Sequence, residues 1–268
     1  MGGLFHNLRH PRRCYVVCAI PRSGSNLLTD GLHATRRAGR PKQFFLAGFE
    51  AGYAANHALD PVNDYAGYVR GMVSAKATSN EVFGFKLMSW YLDDFVRRLR
   101  ETRAFGDEET SDLDLLQNAF PRLQFVHIFR RNKLRQALSK ARAIQTDLWK
   151  VKAGKAARGQ PRFDPGLIEQ CLRDGEEQEE IWQSFFQRID IEPFRVEYEN
   201  LCADYEHTIW GVLNFLKISL PRRARALDGD TSAQLNQLLP RCRCGKAQDR
   251  HETRAHHRHH RAGRKLSC

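Results

Sequence analysis

The feature that most constrains the fold is Cys14-Tyr15-Val16-Val17-Cys18-Ala19-Ile20, a short unbroken apolar run rich in β-forming residues. A strand that is apolar at every position is covered on both faces, which is the situation inside a parallel sheet. It runs into the turn Pro21-Arg22-Ser23-Gly24-Ser25-Asn26, and Leu27-Leu28-Thr29-Asp30-Gly31-Leu32 then has helical apolar spacing. In a strand–turn–helix of this kind, small residues let successive backbone N–H groups converge. The helix start adds unpaired N–H groups and the positive end of its dipole. Ser23, Ser25 and Asn26 supply further hydrogen bonds, and Arg22 supplies a forked cation. The turn is therefore read as a phosphate cradle, against the alternative of an ordinary βα turn. A Walker A loop needs GxxxxGK[ST], and no lysine precedes Ser25, so nucleoside triphosphate hydrolysis is disfavoured.

The strand signal recurs at Val82–Met88 and Phe125–Phe129, and more weakly at Phe194–Tyr198. Helical patterns lie between, at Tyr91–Arg100, Leu134–Ile144, Glu176–Ile189 and Tyr205–Leu216. Asp164-Pro165 reads as the cap and first turn of a helix running toward Cys171. Strands alternating with helices predict an α/β fold: a three-layer sandwich around a mostly parallel central sheet. Gly39–Gly67 and Val151–Phe163 read as loops. With 268 residues, 41% hydrophobic and 28% charged, the chain suffices for one large domain.

The net charge of +12 is unevenly placed. Pro221–Cys268 holds 12 Lys/Arg against 4 Asp/Glu, so most of the basicity belongs to this stretch and not to the folded body. No nucleic-acid partner is implied by charge placed this way. We expect a domain over 12–220 and a basic His/Arg-rich tail over 221–268. Beyond about Pro240 it has almost no apolar residues, which predicts disorder. Arg241-Cys242-Arg243-Cys244 and the following histidines read as solvated tail before metal site. Seven cysteines without a CxxC pair fit reduced thiols. No apolar stretch approaches a membrane span, and no secretory signal is read at the N-terminus. Gly2 is followed at position six by His6, not Ser or Thr, which disfavours myristoylation. A cytoplasmic location is expected.

A second basic element follows the third strand, Arg130-Arg131-Asn132-Lys133, with Ser139 beyond the first turn of the next helix. Ligands of open α/β sheets bind at the carboxyl ends of strands. Arg and Ser there suit a second phosphate, the alternative being a solvated basic turn. Two anion sites at two strand ends point to a nucleotide with phosphates on both sides of its ribose. Lys86, within Gly84-Phe85-Lys86-Leu87-Met88, is read either as a cation near the transferring group or as a strand-end lysine reaching solvent.

Taken together, IPRSGSNLL, AGRPKQFF, GFKLM and VHIFRRNKLRQALSKARAIQT, in that order and spacing, resemble the bacterial carbohydrate sulfotransferases typified by trehalose 2-sulfotransferase. The resemblance runs from about Tyr15 to Leu220. It implies a P-loop-like fold, the donor 3′-phosphoadenosine 5′-phosphosulfate, no metal, and a carbohydrate or glycolipid acceptor such as trehalose or a lipopolysaccharide sugar. Pro21, Arg22, Ser23, Gly24, Ser25 and Asn26 then match the 5′-phosphosulfate loop, and Arg130 and Ser139 the 3′-phosphate site, with Arg131 as a rival to Arg130. Arg22 and Lys86 would stabilise the transition state.

The segment Arg40-Pro41-Lys42-Gln43-Phe44-Phe45 matches the part that lines the sugar pocket. A Glu that acts as general base in the family is replaced here by Gln43. Asp30, Glu50 and His127 are the candidate substitutes, and a late proton loss needing no base is a further alternative. Trp149 is a candidate for stacking on sugar or adenine. Members usually end in an amphipathic helix rich in Gln, Trp and Arg, which this chain lacks. The oligomeric state is left open, a homodimer included. Two other readings stay on the table: a nucleotide-binding member without transfer activity, and a nucleotide-dependent phosphotransferase.

Overall fold

The computed structural model describes residues 11–149 and 159–220. The expected tail from 221 onward, and most of the segment expected as a basic loop, lie outside the described residues.

The described chain begins with strand β1 (Arg13–Ala19), and the Pro21–Gly24 turn leads into helix α1 (Ser25–Ala34). A short helix α2 (Glu50–Ala54) and a longer α3 (Tyr65–Lys76) precede β2 (Val82–Met88). Then come α4 (Leu92–Glu101), α5 (Asp112–Ala119) and β3 (Gln124–Phe129). The chain continues through α6 (Lys133–Thr146), α7 (Pro165–Arg188), β4 (Phe194–Glu197), α8 (Tyr198–Ala203) and α9 (Tyr205–Phe215).

All four expected strands form, in one parallel sheet of order β2-β1-β3-β4. β1 is the innermost long strand and is buried from Cys14 onward, as its continuous apolar run requires. Alternate side chains take opposite faces. Phe85 and Phe125 pair with the same residue of β1, Val16, so the three share a face. There they meet Phe95 of α4 and Phe186 of α7. The other face carries Tyr15 and Gly84. The ring of Tyr15 fills the space a side chain at Gly84 would need, and its hydroxyl donates to the Ala38 carbonyl at 2.6 Å. α1 and α9 cover this side, Tyr205 donating its hydroxyl to the Leu27 carbonyl at 3.2 Å. The result is the expected three-layer α/β arrangement.

Several local readings change. The stretch read as a loop over Gly39–Gly67 holds α2 and the start of α3, which Asp64 caps through the Gly67 N–H at 2.7 Å. The two helical segments around Cys171 and Trp182 are one helix. Asp164 caps α7 through Leu167 N–H, Pro165 opens it, and Gly175 is carried without a break. The helix α5 had no counterpart in the sequence reading. Four cysteines among the described residues, Cys14, Cys18, Cys171 and Cys202, form no disulfide.

Candidate functional site

The turn after β1 is shaped by two left-handed residues. Arg22 has φ 63° and Gly24 has φ 92°. At Gly24 the lack of a side chain is a steric necessity as well, because a Cβ there would lie 2.2 Å from Tyr198 Cδ2. Gly24 is also the N-cap of α1 and offers no side-chain cap, so the first N–H groups of that helix face the turn uncapped. Ser23 is fully buried, and its Oγ has no hydrogen-bond partner among the described residues.

Arg130 approaches the same turn from the end of β3. It is 8% exposed, and its guanidinium stacks over the Tyr198 ring at 4.5 Å, the ring that closes on Gly24. Its Nε is buried without a hydrogen bond, and the nearest carboxylate oxygen, Glu199 Oε1, is 3.8 Å away. Glu199 is already committed: it accepts the Arg131 and Asn132 backbone N–H groups at 3.0 and 3.1 Å. Burial pushes its carboxyl up, but these bonds and the Arg130 charge outweigh burial and hold it below the ordinary value. Arg131 points the other way, 69% exposed beside Glu197. Of the two rivals, Arg130 is the one beside the cradle.

Ser139 also reaches the turn. Arg22 Nε donates to Ser139 Oγ at 2.9 Å, and Arg22 Nη1 donates to the Trp149 carbonyl at 2.6 Å. Burial, and next the charge of Arg130, hold the Arg22 guanidinium below its ordinary value. The two basic elements read as separate anion sites are therefore adjoining, with Arg22 bridging them. The start of α6 contributes no open anion site of its own, because Asn132 Oδ1 accepts from Arg135 N–H at 2.9 Å. Trp149 takes part through its carbonyl, and its side chain is half exposed.

Lys86 does not reach solvent as a strand-end lysine would. It is 7% exposed and donates to Asn26 Oδ1 at 2.8 Å and to Ser25 Oγ at 3.5 Å. A buried ammonium is costly unless bonded, so this pair fixes Lys86 against the start of α1. Beyond it opens a cavity of about 230 Å³ lined by Asn26, Asp30, His33, Arg40, Gln43 and Lys86, among others. The wall carrying Arg40, Pro41 and Gln43 is tied to the sheet edge by Lys86 N–H donating to the Lys42 carbonyl at 2.9 Å.

Phe44 and Phe45, expected with the acceptor residues, are not on the cavity wall. Both are 2% exposed and pack against Phe83, with Phe45 also on Phe85, Phe95 and Phe120. Their apolar area holds the segment in place; it does not face solvent. Glu50 does not reach the cavity either: its carboxylate is forked to Arg98 at 2.8 and 2.9 Å. His127 is buried among Phe129, Trp182 and Phe186, 3.5 Å from Glu179. Of the three substitute bases only Asp30 lines the cavity. Sequence reasoning missed Tyr198, Gln136, which donates to the Pro21 carbonyl at 2.9 Å, and His33. A polar stripe at positions 26, 29, 30 and 33 of α1 follows helical spacing and marks that face. Tyr198 had no local signal.

A profile of the Stf0 sulphotransferase family matches residues 14–238. The chain belongs to that family. The match extends beyond the boundary expected at 220. Two curated relatives are trehalose 2-sulfotransferases. That of Mycobacterium tuberculosis (strain ATCC 35801 / TMC 107 / Erdman) is 28% identical over 229 residues, covering 75% of this chain and 83% of that protein. That of Mycolicibacterium smegmatis (strain ATCC 700084 / mc(2)155) is 27% identical over 232 residues, covering 77% and 85%. The sulfotransferase domain of the Synechococcus PCC 7002 olefin synthase is similar in structure at TM-score 0.41 and 13% identity. It covers 80% of this chain and 76% of that one, and the likeness is too slight to carry an argument. Among the described residues no helix of this sulfotransferase is long and apolar enough to cross a membrane.

Proposed function

We propose that this chain transfers a sulfuryl group from 3′-phosphoadenosine 5′-phosphosulfate to a hydroxyl of a carbohydrate. The observation that carries the reading is positive charge crowded at one turn. Arg130 is buried close enough to hold the half-buried Arg22 guanidinium below its ordinary value, and Arg130 Nε makes no hydrogen bond among the described residues, its nearest carboxylate, Glu199 at 3.8 Å, accepting from backbone N–H groups instead. An anionic ligand there would relieve the repulsion between the two guanidiniums and take up the unused donor. A donor with a phosphosulfate at one end and a phosphate at the other matches two adjoining anion sites.

In this scheme Pro21, Arg22, Ser23, Gly24, Ser25 and Asn26 hold the 5′-phosphosulfate, with the buried Ser23 hydroxyl and the open start of α1 as donors. Arg130 and Ser139 hold the 3′-phosphate. The acceptor oxygen attacks sulfur as the bond from sulfur to the bridging phosphate oxygen breaks. Charge builds on the leaving phosphate, where Lys86 and Arg22 are placed to stabilise it. Arg40, Pro41 and Gln43 line the cavity assigned to the sugar. Its volume suits one sugar ring with a neighbour reaching outward. The trehalose activity named for the relatives makes trehalose the first acceptor to test.

The test has two steps. Adenosine 3′,5′-bisphosphate at a hundredfold excess over its dissociation constant should stabilise the fold by about 2.7 kcal/mol. That is a rise of roughly 5–10 °C in Tm for a domain of this size. ATP should do much less, and stabilisation by ATP alone overturns the donor assignment. Labelled donor should then pass its sulfate to trehalose. Binding of the bisphosphate without any transfer would favour the second reading, a nucleotide-binding member without activity, which Gln43 at the base position recommends.

A further inference from the structure

Sulfuryl transfer frees a proton from the acceptor hydroxyl, and a Gln43 amide cannot take it at neutral pH. The cavity holds an ionisable group that the base-for-base comparison overlooks. His33 stands on α1 three residues after Asp30, on the same helix face, and lines the cavity with Gln43 and Lys86. Its Nδ1 lies 3.2 Å from the Gly39 carbonyl oxygen. A carbonyl only accepts, so Nδ1 carries the hydrogen, and Nε2 of the neutral ring carries the free lone pair. Gly39 immediately precedes the wall formed by Arg40–Gln43, so this bond ties the ring to the acceptor segment itself.

Resting on the sulfotransferase reading above, we propose that His33 Nε2 is the general base that replaces the missing carboxylate. As the acceptor oxygen bonds to sulfur, its proton passes to Nε2. The electron pair of the breaking S–O bond stays on the 5′-phosphate oxygen of the departing adenosine 3′,5′-bisphosphate. The imidazolium so formed sits in the last turn of α1, where the negative end of the helix dipole favours it. Titratable and charged groups facing the same cavity are Asp30 on α1, Arg40 and Lys42 on the following segment, Tyr53 on α2 and Lys86 on β2. Asp30 is the competitor. His33 is set apart from it by the bond to the Gly39 carbonyl, which holds the ring against the acceptor segment.

His33→Asn keeps an N–H donor near the position of Nδ1 and removes the base. With trehalose and labelled donor, its kcat is expected to fall about 100-fold or more with KM little changed. The acidic limb of the wild-type pH–rate profile should disappear with it. The thermal shift by adenosine 3′,5′-bisphosphate should stay as in the wild type, which separates lost chemistry from lost fold. His33→Asn/Gln43→Glu should regain rate, with the limb moved into the carboxylate range. The proposal is overturned if His33→Asn keeps kcat within about threefold and keeps the limb. It is overturned equally if Asp30→Asn removes the limb while His33→Asn retains it. A wild-type chain that shows neither bisphosphate shift nor sulfate transfer sinks the sulfotransferase reading itself. A wild type that shifts but sulfates no trehalose overturns the base assignment together with the acceptor.

Discussion

Replacing Gly24 by alanine adds one methyl group at the tightest point of the cradle. Two costs follow from the geometry. An L-residue at φ 92° carries a left-handed penalty of about 1–2 kcal/mol. The new Cβ would also stand 2.2 Å from Tyr198 Cδ2 and 2.9 Å from Cε2, so ring or loop must shift, an overpacking cost of about 1–3 kcal/mol. Together they predict a loss of roughly 2–5 kcal/mol. At about 2–4 °C per kcal/mol for a domain of this size, the Tm should drop by roughly 4–20 °C. The same movement disturbs the stacking of the Arg130 guanidinium on the Tyr198 ring, 4.5 Å apart. The bisphosphate thermal shift should therefore shrink in the surviving folded protein. Differential scanning fluorimetry with and without the bisphosphate measures both effects. Gly24→Ala/Tyr198→Leu separates them: removing the ring should restore the overpacking part of the Tm and leave the backbone part. A Gly24→Ala chain with unchanged Tm and unchanged bisphosphate shift would refute the packing argument. So would a double variant no better than the single one.

Arg130→Ala should weaken adenosine 3′,5′-bisphosphate binding by about 2–4 kcal/mol, roughly 30- to 1000-fold, by calorimetric titration. Arg131→Ala, an exposed pair with Glu197, should change binding and stability by less than about 0.5 kcal/mol. Equal effects of the two would reject the assignment of the inward arginine. A third expectation concerns acid stability. Burial pushes the Glu179 carboxyl up, but the His127 imidazole and the Lys133 ammonium at 3.0 Å outweigh it and hold it below its ordinary 4.5. A depressed folded value means the carboxylate stabilises the fold above its unfolded value, and that this is lost as pH falls through the folded one. Urea unfolding below about pH 4.5 should therefore show a steeper loss for the wild type than for Glu179→Gln. Parallel curves would mean that this buried cluster contributes no pH dependence.

What was legible in the sequence was what is local. β1, β2 and β3 are buried on both faces, so apolar runs disclosed them directly, and the Gly/Ser-rich turn disclosed the junction between β1 and α1. Ser139 reads as a helical residue beyond the first turn because a helix after β3 has a fixed pitch, and it lies in α6. What was hidden depends on distant partners. Tyr198 shapes the turn from the far end of β4, and nothing near Gly24 announces it. The choice between Arg130 and Arg131 depends on which way the chain leaves β3, and Glu199 decides that by holding the backbone at 131 and 132. Phe44 and Phe45 follow a polar segment and read as pocket residues. Only the aromatic faces of β2 and α4 show that they are anchors. Glu50 reads as a free acid until Arg98 is placed beside it.

The bridging position of Arg22 bears on how the two anion sites work together. A non-glycine residue at positive φ is a strained conformation that persists only where its surroundings require it. Here the requirement is visible: the side chain reaches Ser139 and the Trp149 carbonyl at once, at the edge of the Arg130 charge. Ser139 Oγ accepts from Arg22, which leaves its own O–H to donate to a phosphate while the Arg22 bond stays in place. An anion at either site thus acts on the same arginine. It also relieves the repulsion between the two guanidiniums. A molecule charged at both ends relieves that repulsion from both sides in one binding event, whereas a singly phosphorylated nucleoside leaves one guanidinium unmatched. On the proposed function, selection for a doubly charged donor would not reside in Arg130 alone, because one arginine lies between two adjoining sites.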